Sequence, residues 1–314
     1  MVQEEVIFNG LNTKLKDYFQ LIKFRLTFTV VLSAALGYLI AVNGEFTALI
    51  AGEDAILNDD GLATYKFILK EFIALIVGGF LVVAGSNGLN QVIERNKDIL
   101  MERTQDRPVA TRRLSVLEAS LFSVITGLLG VAILWYFNNS LTAFLGFLSL
   151  VSYAFFYTPL KGITPIAVLV GAFPGAIPPL LGWIAATADY SLGGGILYAI
   201  QFFWQFPHFW AIAWVLHEDY QKAGYLLLPS RAGKTKGSGM QTVIYTIMAF
   251  ALSLTPVYLE MTSLWSLTLL LPMNIYFLMA SIKLYKTLEE SDAKKLMYAS
   301  FLYLPIVLLA ILIF

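Results

Sequence analysis

The chain has 314 residues, of which 58% are hydrophobic and only 13% charged. A soluble domain carries about a quarter charged residues, so the composition excludes an ordinary water-exposed globule and points to a polytopic membrane protein. Cysteine is absent and the net charge is zero, which removes disulfides, thiolate metal sites and thiol catalysis and leaves the placement of charge, not its sum, as the informative quantity.

The N-terminal stretch MVQEEVIFNGLNTKLKDYFQ tolerates acids and has no apolar core. It therefore reads as neither a cleaved signal nor an arginine-rich transit peptide, and a bacterial inner membrane is expected rather than an organelle. Further along, apolar runs bounded by charge or turn residues are long enough for the roughly 20 residues that cross hydrocarbon. They predict nine spans, near 21–42, 68–93, 116–137, 140–158, 164–186, 192–217, 238–259, 262–283 and 296–314. The expected fold is all-α, a bundle of nine transmembrane helices forming a single domain over 1–314. The weakest division is NNS (138–140), all that separates the third span from the fourth. Glycine and proline inside the fifth, GAFPGAIPPLLGW (171–183), are acceptable where neighbouring helices satisfy the freed backbone groups.

Charge placement orients the bundle. With the N-terminus inside, all of the 21 Lys and Arg except Lys66 and Lys70 fall on one side, as the positive-inside rule requires of cytoplasmic loops. The N-terminus is thus expected to be cytoplasmic. The outer loop 43–67, with Glu45, Glu53, Asp54, Asp59 and Asp60, carries no evident chemistry and reads as a solvated connection.

On the cytoplasmic side, the end of the second span reads NQVIERNKDILMERTQDRPV, residues 90–109. Asn90, Glu94 and Asp98 recur at four-residue steps, which places them on one helix face over roughly 12 Å. Their oxygens are hard ligands suited to Mg2+ shared with a phosphate, and no soft ligand accompanies them. Arg103 and Arg107 follow, and a guanidinium fork suits phosphate oxygens. The plain alternative is a solvated loop laced with local pairs, Glu94 with Arg95, Lys97 with Asp98 and Glu102 with Arg103. That alternative leaves Asn90 and Glu94 at the end of a span unexplained, where ionisable groups are costly and by default functional.

Two further cytoplasmic stretches extend the site. The sixth span ends in FFWQFPHFWAIAWVLHEDYQKAGYLLLP (202–229). If the second and sixth helices face each other, Asp219 supplies the opposite half of a metal–diphosphate cage, and Pro207 kinks the span nearby. The third stretch, YTPLK, sets Tyr157 and Lys161 four apart. Lys161 reads equally as a phosphate anchor or a snorkelling lysine, and Tyr157 as a site residue or an interfacial anchor. His208 reads either as a contact to a bound substrate or as a neutral histidine hydrogen-bonded across helices near the kink. His217, beside Glu218 at the membrane edge, reads as a surface or supporting residue. Arg25, in KFRLT, is balanced between reaching a diphosphate and anchoring the first span.

Taken with YTPLKGITPIAVLVGAFPGAIPPLLGW and WQFPHFWAIAWVLHEDYQKAGYLLLP, the 90–109 stretch resembles the UbiA-type intramembrane prenyltransferases, which transfer isoprenoid chains from diphosphates. The similarity is greatest to the branch that farnesylates protohaem IX. The resemblance implies that Asn90, Glu94, Asp98 and Asp219 form the catalytic, Mg2+-holding set. It likewise implies that Arg103, Tyr157 and Lys161 contact the diphosphate, and that the substrates are farnesyl diphosphate and haem b, haem b being substrate and not cofactor. Arg107, His208 and Arg25 are candidate substrate contacts on their own chemistry, with the alternatives above left open. Two departures stand out: Glu94 occupies a position that is Asp in many relatives, and Ala223 stands where the wider family has a second aspartate four past Asp219. The implied mechanism is ionisation of the allylic C–O bond, shelter of the cation by aromatic faces, attack by a haem vinyl group and capture by water. No protein nucleophile is needed. The implied setting is the lipid bilayer with the site facing the cytoplasm, no nucleic-acid partner, and hand-over of product to haem-modifying or terminal-oxidase assembly proteins as an open expectation. Rival readings are a relative acting on an aromatic or quinone precursor, and a secondary transporter or haem carrier, a class whose sites lie near the midplane.

Overall fold

The computed structural model describes residues 13–43 and 67–314, and among these the secondary structure is helical, with no strand. The acidic outer-loop residues and Lys66 lie outside the described residues. After a helical segment at 13–21, the long helices are Phe24–Ala41 (α1), Leu69–Asp98 (α2), Val116–Phe137 (α3), Ser140–Val151 (α4), Ala167–Thr187 (α5), Leu192–Val215 (α6), Lys236–Tyr258 (α7), Leu267–Thr287 (α8) and Glu290–Ile313 (α9). A π-helical turn, Ser152–Tyr157, and a last turn, Thr158–Leu160, continue α4, and a short helix His217–Lys222 follows α6. Eight of the described helices are long and apolar enough to cross a membrane; α6 is not among them. Its 24 residues match the others in length, but Gln201, Gln205 and His208, all buried, lower its hydropathy. Polar groups of this kind mark a helix whose neighbours are protein rather than lipid.

The weak NNS boundary is a true turn with a physical cause. Asn139 caps α4 by accepting from the Thr142 N–H at 2.8 Å. The side-chain amides of Asn138 and Asn139 donate to Glu71 O at 3.0 Å and Ile184 O at 2.9 Å. The turn is thereby pinned to the start of α2 and the end of α5. At the other end of α3, Ser115 accepts from the Glu118 N–H, and Glu118 sits in the first turn where the helix dipole favours an acid.

In α5 the prolines Pro178 and Pro179 deprive the carbonyls four residues earlier of their helical donors. Neighbours make good both losses. Ser149 of α4 donates to Pro174 O at 3.3 Å, and Gln201 of α6 donates to Gly175 O at 2.7 Å. The buried glutamines of α6 thus serve the broken backbone of α5.

Two cores meet along α1 and α5. Ala34, Tyr38, Leu75, Val82, Leu134, Leu150, Ile177 and Leu181 fill one between α1 and α5. Leu36, Ala172, Phe206, Trp214, Phe277 and Tyr303 belong to the other, which continues through α6 to α9. The α1–α5 seam closes tightly because glycine lies on both sides: a Cβ on Gly182 would run into Ala34 O, and one on Gly37 into Pro179 O. Small residues permit this approach in place of a hydrophobic driving force. Gly182→Ala is expected to lower the melting temperature in detergent by several degrees, the effect of about 1–3 kcal/mol of overpacking. Gly79→Ala, where a Cβ meets nothing within 4 Å, should leave it unchanged.

Candidate active site at the polar helix ends

At 30 residues, α2 is about 45 Å long, well beyond the roughly 30 Å of hydrocarbon. Its surplus carries the polar face. Asn90, Glu94 and Asp98 are buried at 0%, 5% and 0% exposure, so the four-residue spacing aims all three inward. Each has a partner from outside the helix. Lys161, just past the α4 continuation, donates to Glu94 Oε1 at 2.8 Å. Arg107, from the loop after α2, donates to Asp98 Oδ1 at 2.7 Å and approaches Glu94 Oε2 at 3.9 Å. Asn90 donates to Thr158 Oγ1 at 3.0 Å and accepts from Lys23 Nζ at 2.9 Å. The local pairs of the solvated-loop alternative do not form among the described residues; the acids pair across the fold instead.

Aromatic rings flank this charge. Tyr157 lies 5.3 Å from Tyr153 between ring centroids, and the Lys161 ammonium sits 4.5 Å above the Tyr157 ring. Such a placement favours the cation electrostatically. Tyr225, from the loop after the short helix, is buried on the other side. Burial and then the neighbouring Glu94 carboxylate push its hydroxyl well above the ordinary tyrosine range, so it keeps its proton.

The remaining expected site residues fall elsewhere. Asp219 does not join the acid cluster. Its carboxylate accepts from the Glu102 N–H at 2.8 Å and the Arg103 N–H at 3.4 Å, tying the chain after α6 to the turn after α2. The two ends therefore meet, but through a carboxylate-to-backbone clamp and not a shared acid cage. Arg103 lays its guanidinium 5.8 Å from the Tyr220 ring centre and is exposed. Arg25 is exposed on α1 and makes none of the contacts that build the cluster. His208 has the cross-helix geometry: its Nδ1 and Ser300 Oγ are 2.8 Å apart, and its ring stacks on Trp204 with centroids 4.6 Å apart. Sequence reasoning missed Lys23, Thr158 and Tyr225 as members of the site. For Tyr153 a signal existed, since it continues the four-residue steps of Tyr157 and Lys161.

Among the described residues no three His, Asp or Glu side chains converge into a ready cage for a metal ion. The donor set nevertheless fits Mg2+ shared with a diphosphate. Asp98 Oδ2 is buried without a hydrogen-bond partner, and carboxylate and amide oxygens are the ligands that this ion takes alongside substrate phosphates.

Comparison with known proteins identifies the family. The family model described as "UbiA prenyltransferase family" matches residues 30–304. The chain belongs to the UbiA prenyltransferase family. A curated relative from Cytophaga hutchinsonii, named protoheme IX farnesyltransferase, is 40% identical over 298 residues, covering 95% of this chain and 97% of the relative. One of the same name from Flavobacterium psychrophilum is 40% identical over 296 residues, 93% of this chain and 91% of the relative. Among solved structures, a digeranylgeranylglyceryl phosphate synthase superposes with TM-score 0.75 at 22% identity, covering 96% of this chain and 98% of its own. A UbiA homologue from Archaeoglobus fulgidus bound to GPP and Mg2+ gives TM-score 0.61 at 13% identity, covering 94% and 99%. These structures share the fold. Membership in this family, with the apolar helices, makes the chain a multi-pass membrane protein.

Two outcomes check the geometry. Removing Lys161 leaves Glu94 buried with only the 3.9 Å approach of Arg107 to offset its charge, so Lys161→Met should destabilise by about 3 kcal/mol, the low end for a broken buried pair. The double variant with Glu94→Gln should recover most of that loss in the same unfolding assay. For Asp219, the amide oxygen of Asn can still accept the Glu102 N–H. Asp219→Asn should therefore keep activity within a few fold while Asp219→Ala loses about tenfold or more, each tenfold being about 1.4 kcal/mol. Equal loss in both would make the charge itself, and a direct metal-ligand role, the reason for the residue.

Proposed function

We propose that the chain transfers the farnesyl group of farnesyl diphosphate to a vinyl group of haem b, forming haem O. The observation that carries the reading is the buried meeting of Glu94 and Asp98 with Arg107 and Lys161: acids able to share a divalent ion stand against bases able to take phosphate oxygens. Family membership supports prenyl transfer, and the name of the relatives at 40% identity supports farnesyl and haem as the two substrates.

In this reading Asn90, Glu94 and Asp98 hold Mg2+ together with the diphosphate. Bound there, the ion would neutralise charge on the departing group. Lys161 and Arg107 present N–H donors to the same developing charge, in a site that excludes bulk water and so strengthens each interaction. The allylic C–O bond breaks with its electron pair leaving on diphosphate. Tyr153 and Tyr157 offer their ring faces to the farnesyl cation. The vinyl π pair of haem forms the new C–C bond, and water adds to the resulting cation and loses a proton, giving a hydroxyethylfarnesyl group. Asp219 holds the loop that carries Arg103 and Arg107 against the chain after α6. Arg103, exposed beside this loop, is the reserve contact for the diphosphate. His208 stands on the haem side as a proposed contact, and Arg25 has less support than Lys23. The Lys and Arg distribution supports nine spans, a cytoplasmic N-terminus and a cytoplasm-facing site in a bacterial inner membrane.

Membranes containing the chain, given haem b, farnesyl diphosphate and Mg2+, should yield a farnesylated haem detected by mass. Chelation should stop the reaction and added Mg2+ restore it. Asp98→Ala should reduce turnover by roughly a hundredfold or more with membrane insertion intact, the scale of losing one preorganised charge-stabilising group. Prenylation of a phenolic acceptor with no haem product would replace the haem assignment by the aromatic one.

A further inference from the structure

Tyr225 is 6% exposed, and its hydroxyl is buried with no hydrogen-bond partner among the described residues. An unsatisfied interior hydroxyl costs about 1–3 kcal/mol, so each such group calls for a reason. The position is not accidental. Gly224, at φ +69°, turns the chain, a conformation that glycine adopts without a Cβ penalty. The Tyr225 N–H donates to Tyr220 O and the Leu226 N–H to Lys161 O, both at 2.9 Å. Two ammonium groups then sit near the ring, Lys97 Nζ at 4.7 Å and Lys161 Nζ at 5.9 Å from its centre. The phenol is thus fixed beside Glu94 and Lys161. Its hydroxyl reaches toward the Glu94 carboxylate in a weak contact that does not complete a hydrogen bond of good geometry.

We propose that the Tyr225 hydroxyl donates a hydrogen bond to the diphosphate group of the prenyl substrate, so that the loop after α6 grips the leaving group directly. The inference rests on the prenyl-transfer reading and deepens it. A diphosphate ester offers acceptor oxygens without competing donors, the complement of a phenolic O–H whose ring is already braced by cations. The same cations draw the polyanion toward the hydroxyl. In the free protein the hydroxyl therefore has no well-formed hydrogen bond, only a weak contact with Glu94 that a diphosphate oxygen can replace.

Tyr225→Phe keeps the ring, its packing and both lysine contacts and removes only the donor. With the full-length protein in detergent and Mg2+, the dissociation constant of inorganic diphosphate and the KM for farnesyl diphosphate should each rise roughly 10- to 100-fold, the scale of one hydrogen bond to a charged acceptor. The melting temperature should stay level or rise and kcat should change less than KM. A purely structural tyrosine would instead move the melting temperature and leave diphosphate binding alone. Unchanged diphosphate binding in Tyr225→Phe overturns the proposal even if haem is farnesylated. If another acceptor proves to be the substrate, the diphosphate shift still tests Tyr225. A wild-type protein that does not bind diphosphate sinks both readings.

Discussion

Glu94 is a carboxylate with 5% exposure, and burying such a charge is tolerable only with close opposite partners. Its partners come from separate parts of the chain: Lys161 from the turn between α4 and α5, and Arg107 from the loop after α2. The bundle cannot close without bringing these segments together. The same demand that organises this end of the fold gathers acids and bases at one depth. In the proposed reading stability and chemistry are therefore coupled here: the ion pairs that make burial tolerable use the groups assigned to the substrate. A polyanion arriving with a divalent ion gives each side of every pair a new partner of the opposite sign, so the cluster can open to substrate without leaving a bare charge.

The rest of the architecture serves that meeting. The tight α1–α5 seam fixes the two helices that belong to both cores, and the glutamines of α6 stabilise the proline-broken α5. The start of α1 then delivers Lys23 to Asn90, while the Asp219 clamp brings the chain after α6 over the acids.

Much of this was legible in the sequence. Apolar run length placed the long helices, because crossing hydrocarbon imposes a length that few other constraints mimic, and the period of four put Asn90, Glu94 and Asp98 on one face. The partners were harder. Nothing in KFRLT signals that Lys23 adopts φ 49°, a left-handed conformation uncommon outside glycine, and so turns toward Asn90 while Arg25 is left outside. Asp219 was legible as an acid near the site but not as a backbone acceptor, since its role depends on two N–H groups more than a hundred residues earlier. Tyr225 carried no signal, because an unpartnered hydroxyl is a property of packing. The hydropathy of α6 is lowered for a related reason: its polar residues answer another helix's prolines.

The π-helical turn at Ser152–Tyr157 gives this end of the molecule a local tolerance of chain length. A π turn accommodates one more residue than an α turn, and each residue advances a helix by about 100°. Loss of a single amino acid between 152 and 157 would let the turn relax to α geometry and leave Lys161 facing the carboxylate it serves. The same loss in the regular α-helix before it would swing everything downstream by that angle and carry the ammonium away.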